Sequence, residues 1–178
     1  VDPARARSFS ALTGRRLAGE PLAYLLGGKE FYGRWFVVSP AVLVPRPETE
    51  LLVELALRQL TAIERPRILE LGTGCGCIAI TLALERPDAQ ITATDRSHEA
   101  LEIARANAAA LAAGLSLVHG SWFEPLPAEA QFDLIVSNPP YVAANDPHLA
   151  ALSHEPALAL ISGGNGLAGL RAIIEGGR

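Results

Sequence analysis

The sequence predicts an α/β fold built on a doubly wound, mostly parallel sheet. Four short apolar segments alternate with segments of helical periodicity, which is the order of βαβ units. The segments are almost continuously apolar, which is typical of strands covered on both faces. A glycine-rich turn follows the first segment, at the position where such folds bind ligands. The predicted strands are residues 67–71, 90–95, 115–119 and 132–137, with helices at 78–85 and 97–113 between them.

Composition and charge limit the classes of function. The 178 residues correspond to about one domain, and 49% of them are hydrophobic, which is enough for a packed core. No apolar run reaches the ~18 residues of a membrane-spanning helix, and the amino terminus lacks a secretion signal. The net charge of −4 gives no general attraction to nucleic acid. Cys75 and Cys77 lie too close in sequence for an easy mutual disulfide, which favours a reducing compartment. We expect a cytoplasmic monomer that binds neither membranes nor nucleic acid directly.

The residues before the predicted strand at 67–71 predict further helices and a hairpin. Segment 1–28 is rich in alanine, leucine and arginine and predicts a helix followed by a turn. Aromatic and β-branched residues predict a β-hairpin within 30–44, with strands at 31–38 and 42–44. Leucines at helical spacing predict a helix over 51–60.

The chain is expected to be a piece of a longer protein, truncated at both ends. It contains no methionine, even at position 1. A sheet of four strands is small for this architecture, and only one further helix is predicted after it, at 167–175. We therefore expect that the strands that complete the sheet lie beyond residue 178.

A glycine-rich turn and an acidic residue predict a site for an adenosine-type ligand. The turn, Gly72-Thr73-Gly74-Cys75-Gly76, joins the first strand of the sheet to its helix, where glycines let a ligand lie against the main chain. Asp95 ends the second strand, where a carboxylate can accept hydrogen bonds from both hydroxyls of a ribose. The spacing is not that of a dinucleotide site, because Cys77 stands where its third glycine would be.

The fourth strand ends in Asn138-Pro139-Pro140-Tyr141, and this segment predicts a clamp for a planar nitrogen group. An amide nitrogen is a poor nucleophile because its lone pair is delocalised. The Asn138 side-chain oxygen and the Pro139 carbonyl can accept its two N–H groups and favour the charge that develops during attack. Proline holds its backbone at a fixed angle, and Tyr141 offers an aromatic face to a flat substrate group.

These motifs together resemble those of the HemK/PrmC family of N5-glutamine methyltransferases. Members of that family methylate the glutamine of the Gly-Gly-Gln loop in class 1 peptide-chain release factors. The resemblance covers nearly the whole chain. It rests on residues 19–24, 31–33, 44–50, 72–76, 138–141, 155–156 and 163–167.

The resemblance implies a class I S-adenosylmethionine-dependent methyltransferase with a Rossmann-like fold. Residues 1–28 then correspond to the end of an N-terminal helical substrate-binding domain and its linker, and residues 29–178 to the methyltransferase domain. The implied cofactor is S-adenosyl-L-methionine, held by Gly72, Thr73, Gly74, Cys75, Gly76, Asp95, Trp122 and Asn138. The implied substrate clamp is Asn138, Pro139, Pro140 and Tyr141, of which Asn138, Pro139 and Tyr141 take part in catalysis.

Several alternatives stay open at this point. The same clamp occurs in adenine-N6 methyltransferases of DNA or RNA, and related enzymes methylate glutamine in a ribosomal protein. A cofactor-binding module without catalysis is a third possibility. Arg46, Glu48 and Glu50 either line the substrate side of the cleft or lie at a solvated helix start. No metal site is predicted, since the four histidines lie far apart in sequence.

Overall fold

The structure is a computed structural model that describes residues 2–177. It contains a two-stranded and a four-stranded sheet. The strands are β1 (Gly28–Phe31), β2 (Arg34–Val37), β3 (Arg67–Leu71), β4 (Gln90–Asp95), β5 (Ser116–His119) and β6 (Leu134–Ser137). The helices are α1 (Pro3–Leu17), α2 (Leu22–Leu26), α3 (Thr49–Gln59), α4 (Cys77–Glu85), α5 (His98–Ala110), α6 (Ala157–Leu160) and α7 (Ala168–Gly176), with a 3₁₀ helix at Pro147–Leu152.

The larger sheet is parallel and has the strand order β5-β4-β3-β6. In β3, at its centre, Ile68, Leu69 and Leu71 are fully buried, because neighbouring strands and helices enclose them. The carboxyl ends of the four parallel strands meet at one edge, so the loops that follow them lie side by side. Open α/β sheets bind ligands at this edge.

The helices that follow the sheet strands cover it as the predicted α/β architecture requires. Helix α4 lies between α3 and α5 and packs on β4. Every residue from Cys77 to Ala83 is therefore buried. The predicted fold class is confirmed, and the predicted strands 67–71 and 90–95 agree with β3 and β4 at both ends.

The predicted hairpin strands are wrong. Strand β1 pairs with β2, and the turn between them is Tyr32-Gly33 instead of a turn after residue 38. Tyr32 has φ 51° and Gly33 has φ 72°, and two positive φ angles give the turn a twist that matches the hairpin. Residues 42–44 form an irregular segment in which Val42 and Val44 are buried. Their β-branched side chains serve packing here, which sequence alone does not distinguish from strand pairing.

Helix α5 ends three residues before its predicted end. Ala112 has φ 53°, and the Ala113 N–H donates to the Ala108 carbonyl at 2.9 Å, which closes the helix in the manner of a Schellman motif. The sequence indicated Gly114 as the end because glycine usually occupies the left-handed position. Alanine occupies it in this chain.

Helix α1 has no buried residue. It is linked to the rest of the chain after its end, where the His154 ring nitrogen Nε2 lies 3.1 Å from the Ala18 carbonyl oxygen. The assignment of residues 1–28 to a separate helical domain stays a prediction. No helix within residues 2–177 combines the length and the apolar character needed to cross a bilayer.

Candidate active site

A cavity of about 720 Å³ opens at the carboxyl edge of the four-stranded sheet. The predicted site residues that line it are Gly72, Thr73, Gly74, Cys75, Asp95, Trp122, Asn138 and Pro140. Gly76 and Pro139 are buried without lining the cavity, and Tyr141 lies outside it with 66% of its surface exposed. The fold thus brings the glycine turn, the acidic residue and part of the proline segment to one cavity.

The glycine turn is held by the neighbouring strand. The N–H groups of Gly72 and Thr73 both donate to the Thr94 carbonyl, at 2.9 and 3.0 Å. Gly76 has φ 84°, and a Cβ atom there would lie only 2.7 Å from Cδ1 of Ile80. Helix α4 can therefore start directly behind the turn only because this residue has no side chain.

Asp95 is fixed by two backbone donors. Its Oδ2 accepts a hydrogen bond from the Gly74 N–H at 2.8 Å, and its Oδ1 accepts one from the Ser97 N–H at 2.9 Å. The carboxylate is half-buried and lines the cavity. Each carboxylate oxygen has a second acceptor position, so Asp95 can still bind hydroxyl groups of a ligand.

Glu70 is a buried acid in the cavity wall, with 1% of its surface exposed. Its Oε2 accepts hydrogen bonds from Thr73 Oγ1 at 2.5 Å and from the Ala79 N–H at 3.0 Å. Its Oε1 is buried and has no hydrogen-bond partner among residues 2–177. Burial raises the pKa of Glu70 from its ordinary value of 4.5 to about 8. An unpartnered buried oxygen of this kind suits a cationic ligand group.

Trp122 lies on the loop after β5 and lines the same cavity. Its φ of 48° is unusual for a residue with a side chain, and its carbonyl accepts a hydrogen bond from Thr94 Oγ1 at 3.1 Å. A Cβ atom on Gly72 or Gly169 would lie 3.7 or 3.2 Å from the indole ring. The ring is therefore held between the glycine turn and α7, where it offers an aromatic surface.

Asn138 follows β6, is half-buried and lines the cavity. Its Nδ2 donates to Thr49 Oγ1 at 3.2 Å. Thr49 is the first residue of α3, is itself buried and lines the same cavity. This bond engages one of the two amide N–H groups and orients the side chain, and the Oδ1 acceptor stays available to a ligand.

A later segment of the chain packs against residues 138–142, which contain the two consecutive prolines. Val142 forms a parallel bridge with Ile161, and its N–H donates to the Leu160 carbonyl at 2.9 Å. A Cβ atom on Gly166 would lie 2.3 Å from the Tyr141 carbonyl oxygen, so the two segments touch through their main chains. This packing fixes the path of residues 138–142.

An ion pair between the half-exposed Arg46 and the buried Glu155 supports one wall of the cavity. Glu155 has 8% of its surface exposed. Its Oε1 pairs with Arg46 Nη2 at 2.5 Å, and its Oε2 accepts a hydrogen bond from the Val44 N–H at 3.0 Å. Arg46 lines the cavity. The carboxylate thus holds the segment 44–46 in place from below.

Glu48 and Glu50 do not line the cavity. The Glu50 Oε1 accepts a hydrogen bond from the Tyr32 N–H at 2.9 Å and so supports the hairpin turn. Glu48 is exposed at the start of α3. Of the three residues whose role was open, only Arg46 reaches the cleft.

Three residues at or beside the cavity were not predicted as site residues from the sequence: Thr49, Glu70 and Glu155. Glu70 carried a detectable signal, since an acid inside an otherwise apolar central strand is rare without a function. Thr49 and Glu155 lie in the segments 44–50 and 155–156 that contribute to the family resemblance, but the sequence indicates no role for either residue. Their partners are 89 and 109 residues away, and no local pattern links them.

Comparisons with known proteins agree with this geometry. Residues 47–165 match the family model "Methyltransferase small domain". The chain is 52% identical over 178 residues to a release factor glutamine methyltransferase of Bordetella pertussis, covering 99% of this chain and 66% of that protein. It is 53% identical over 168 residues to the enzyme of the same name from Neisseria gonorrhoeae, covering 93% of this chain and 61% of that protein. The chain thus spans about two thirds of the length of these curated relatives.

Solved structures with lower identity support the fold. A 16S rRNA N2 G1207 methyltransferase of T. thermophilus, solved with AdoMet and guanosine, has a TM-score of 0.57 and 24% identity, covering 66% of this chain and 33% of that chain. The hMettl16 catalytic domain, solved with an RNA hairpin, has a TM-score of 0.61 and 19% identity, covering 86% of this chain and 59% of that chain. On its fold and on the match across residues 47–165, this chain belongs to the methyltransferase small domain family, and the curated relatives that share about half of its residues are release factor glutamine methyltransferases.

Proposed function

We propose that this chain carries the catalytic part of an enzyme that methylates the glutamine side-chain amide in the Gly-Gly-Gln loop of class 1 release factors, in the cytoplasm. The observation that carries the proposal is the position of Asn138. Its side chain faces the same cavity as Asp95 and the glycine turn, and Thr49 leaves its Oδ1 available as an acceptor. The names of the half-identical relatives support the choice of substrate.

The cavity fits S-adenosylmethionine at three points. The unpartnered Oε1 of Glu70 suits the ammonium group of the methionine part. The carboxylate of Asp95 suits the two ribose hydroxyls, and the indole ring of Trp122 suits the adenine. The bare main chain at Gly72 and Gly74 lets the ligand lie close to the turn.

The reaction needs orientation more than acid–base chemistry. S-adenosylmethionine, when bound, supplies a methyl group on a positively charged sulfur that is a good leaving group. Asn138 Oδ1 accepts an N–H group of the substrate amide and holds its nitrogen toward that methyl group. The nitrogen gains a carbon bond and then loses one proton to water. Tyr141, exposed beside the cavity, provides a surface for the substrate loop.

Replacing Asp95 with alanine is expected to weaken binding of S-adenosylhomocysteine at least tenfold (~1.4 kcal/mol), because the ribose hydroxyls lose their acceptor. Isothermal titration calorimetry measures the change. Asp146→Ala is a matched control, since Asp146 also accepts from a backbone N–H two residues on but lies outside the cavity. An equal loss of affinity in both variants would contradict the assignment of the ribose site.

Replacing Thr49 with valine is expected to lower kcat about fivefold (~1 kcal/mol for one hydrogen bond). Valine has nearly the same shape as threonine but cannot accept the Asn138 Nδ2 donor, so the amide turns more freely. Affinity for S-adenosylhomocysteine should change less than twofold. Thr49→Ser keeps the acceptor and should restore most of the rate in a steady-state assay. If serine lowers kcat as much as valine does, Thr49 acts through packing and the orienting role is wrong.

The proposed function is tested by transfer of a labelled methyl group from S-adenosylmethionine to a purified class 1 release factor. We expect labelling of the release factor and none of a variant whose Gly-Gly-Gln glutamine is changed to alanine. Equal labelling of both proteins would overturn the target residue. Parallel reactions contain adenine-bearing DNA and RNA and a mixture of ribosomal proteins. Labelling of one of these in place of the release factor would support the corresponding alternative enzyme.

A further inference from the structure

The two cysteines of the chain lie together on the wall of the cavity. Cys75 and Cys77 are separated only by Gly76, and both line the cavity. They are 2% and 8% exposed. The proposed methyl transfer makes no use of either thiol.

The backbone around the pair is fixed. The Gly76 N–H donates to the Thr73 carbonyl at 2.9 Å, which closes a tight turn over residues 73–76 that contains Cys75 and ends directly before Cys77. The Cys75 carbonyl accepts a hydrogen bond from Nδ2 of the buried Asn107 at 2.9 Å, and Cys77 is the first residue of α4. The backbone positions of both cysteines, one residue apart, are therefore fixed in the folded chain.

The environment of the two thiols determines which classes of reagent can react with them. The contact with Cys75, burial and the nearby Glu70 raise the pKa of the Cys77 thiol well above its ordinary value. Alkylating agents and peroxides react with thiolates, so a protonated thiol is a poor target for them. Residues 2–177 contain no group of three or more His, Cys, Asp or Glu side chains arranged to hold a metal ion, so a tetrahedral zinc site is absent from this part of the chain.

We propose that Cys75 and Cys77 form a dithiol site for a trivalent organoarsenic compound. An arsenic(III) centre is soft, prefers sulfur ligands and needs only two of them. With an arsine oxide, R–As=O, two As–S bonds form and both S–H bonds break. The oxygen leaves arsenic and departs as water with the two thiol protons, and arsenic stays in the +3 state. The product carries no net charge, which suits a buried position beside an acid.

The position of the pair predicts competition with the cofactor. Cys75 belongs to the glycine turn, next to Gly74, whose N–H is bonded to Asp95. An arsenic group on both sulfurs would project into the cavity that they line and occupy space needed by the nucleoside ligand. Cofactor and arsenical are therefore mutually exclusive, and this part of the inference rests on the proposed function.

The test uses phenylarsine oxide and the whole chain. Intact-mass spectrometry should show one adduct per chain, with loss of both free thiols in a titration with a chromogenic disulfide. The adduct should resist excess glutathione and be reversed by a small dithiol. Cys75→Ser and Cys77→Ser, each checked for folding by circular dichroism, should each abolish the glutathione-resistant adduct. Cys75→Ala and Cys77→Ala serve the same purpose if a serine variant does not fold. Absence of the adduct in the parent, or its persistence in a single-cysteine variant, would overturn the dithiol site.

Calorimetry with S-adenosylhomocysteine separates this inference from the proposed function. Untreated protein is titrated first. If it binds, arsenical treatment should reduce the affinity at least tenfold, and prior binding of the ligand should slow formation of the adduct by a similar factor. Unchanged affinity after complete adduct formation would overturn the competition. If untreated protein does not bind but forms the adduct, the dithiol site is supported and the proposed function fails.

Discussion

Changing Asn138 to alanine is expected to slow methyl transfer to the release factor by about 100-fold. The variant loses the acceptor that holds one N–H of the substrate amide, and removal of a single group that stabilises a transition state typically costs ~10²–10³ in rate. The nitrogen then spends little time in the orientation that attack requires. Single-turnover kinetics with saturating cofactor measures this step without a contribution from product release.

Two further measurements show whether the slower rate of Asn138→Ala reflects loss of the substrate clamp. Asn145→Ala is a matched control, because Asn145 is exposed and lies outside the cavity. Its rate should equal that of the parent. Affinity of Asn138→Ala for S-adenosylhomocysteine should fall much less than the rate does, since the cofactor keeps Asp95 and Glu70. A rate within threefold of the parent would show that Asn138 is not part of the clamp.

Binding of S-adenosylhomocysteine is expected to tighten by up to tenfold per pH unit between about pH 6 and pH 8. Burial raises the pKa of Glu70 to about 8, so its carboxyl group is mostly protonated at pH 6. The ammonium group of the ligand is bound best by the carboxylate. Below pH 8 binding must therefore release a proton, and affinity rises as the proton concentration falls. Above about pH 8 the dependence on Glu70 should level off.

Glu70 also makes the stability of the ligand-free protein depend on pH, in the direction opposite to that of ligand affinity. The pKa of Glu70 in the folded protein lies above its ordinary value of 4.5. The folded state consequently binds more protons than the unfolded state between about pH 4.5 and pH 8. The contribution of Glu70 to stability is fully present below this range and is lost as the pH rises through it. Urea unfolding of the ligand-free chain at several pH values measures this trend.

Glu70→Gln separates Glu70 from the other titrating groups. Glutamine keeps the shape and the ability to accept from Thr73 and Ala79, but it does not titrate. The variant should show a much flatter binding profile, and the slope that remains belongs to the ligand's own amino group. A parent profile as flat as that of the variant would show that Glu70 does not meet the ammonium group.

The fold was largely predictable because its central elements follow local rules. Strands β3 and β4 were predicted at both ends, since short apolar runs between glycine and proline signals have few other interpretations. The strands of the hairpin were not predicted correctly. Its turn depends on a tyrosine at φ 51°, a conformation that the residue type does not indicate. The buried valines after the hairpin have the sequence pattern of a strand although they do not form one.

The parts of the candidate site that consist of short motifs directly after a strand could be predicted from the sequence. The glycine turn and Asn138 each follow a strand, and parallel strands bring their carboxyl ends to one edge. The supporting residues were not predictable, because they act across long stretches of chain. Thr49 accepts a hydrogen bond from a residue 89 positions away, and Glu50 supports a hairpin turn instead of facing the cleft. Pro139 and Tyr141 stay predictions as parts of the clamp.

The ion pair beside the cavity has a consequence for the order in which the chain can acquire its structure during synthesis. Glu155 lies 109 residues after Arg46 and 111 residues after Val44, its two partners. Domains fold as units while the chain grows from its amino terminus, so the hairpin and the first sheet strands are made long before Glu155 emerges. Until then Arg46 has no buried carboxylate to hold it, and the Val44 N–H has no side-chain acceptor. A nascent chain that has not yet exposed residue 155 therefore lacks the carboxylate that supports this wall of the cavity.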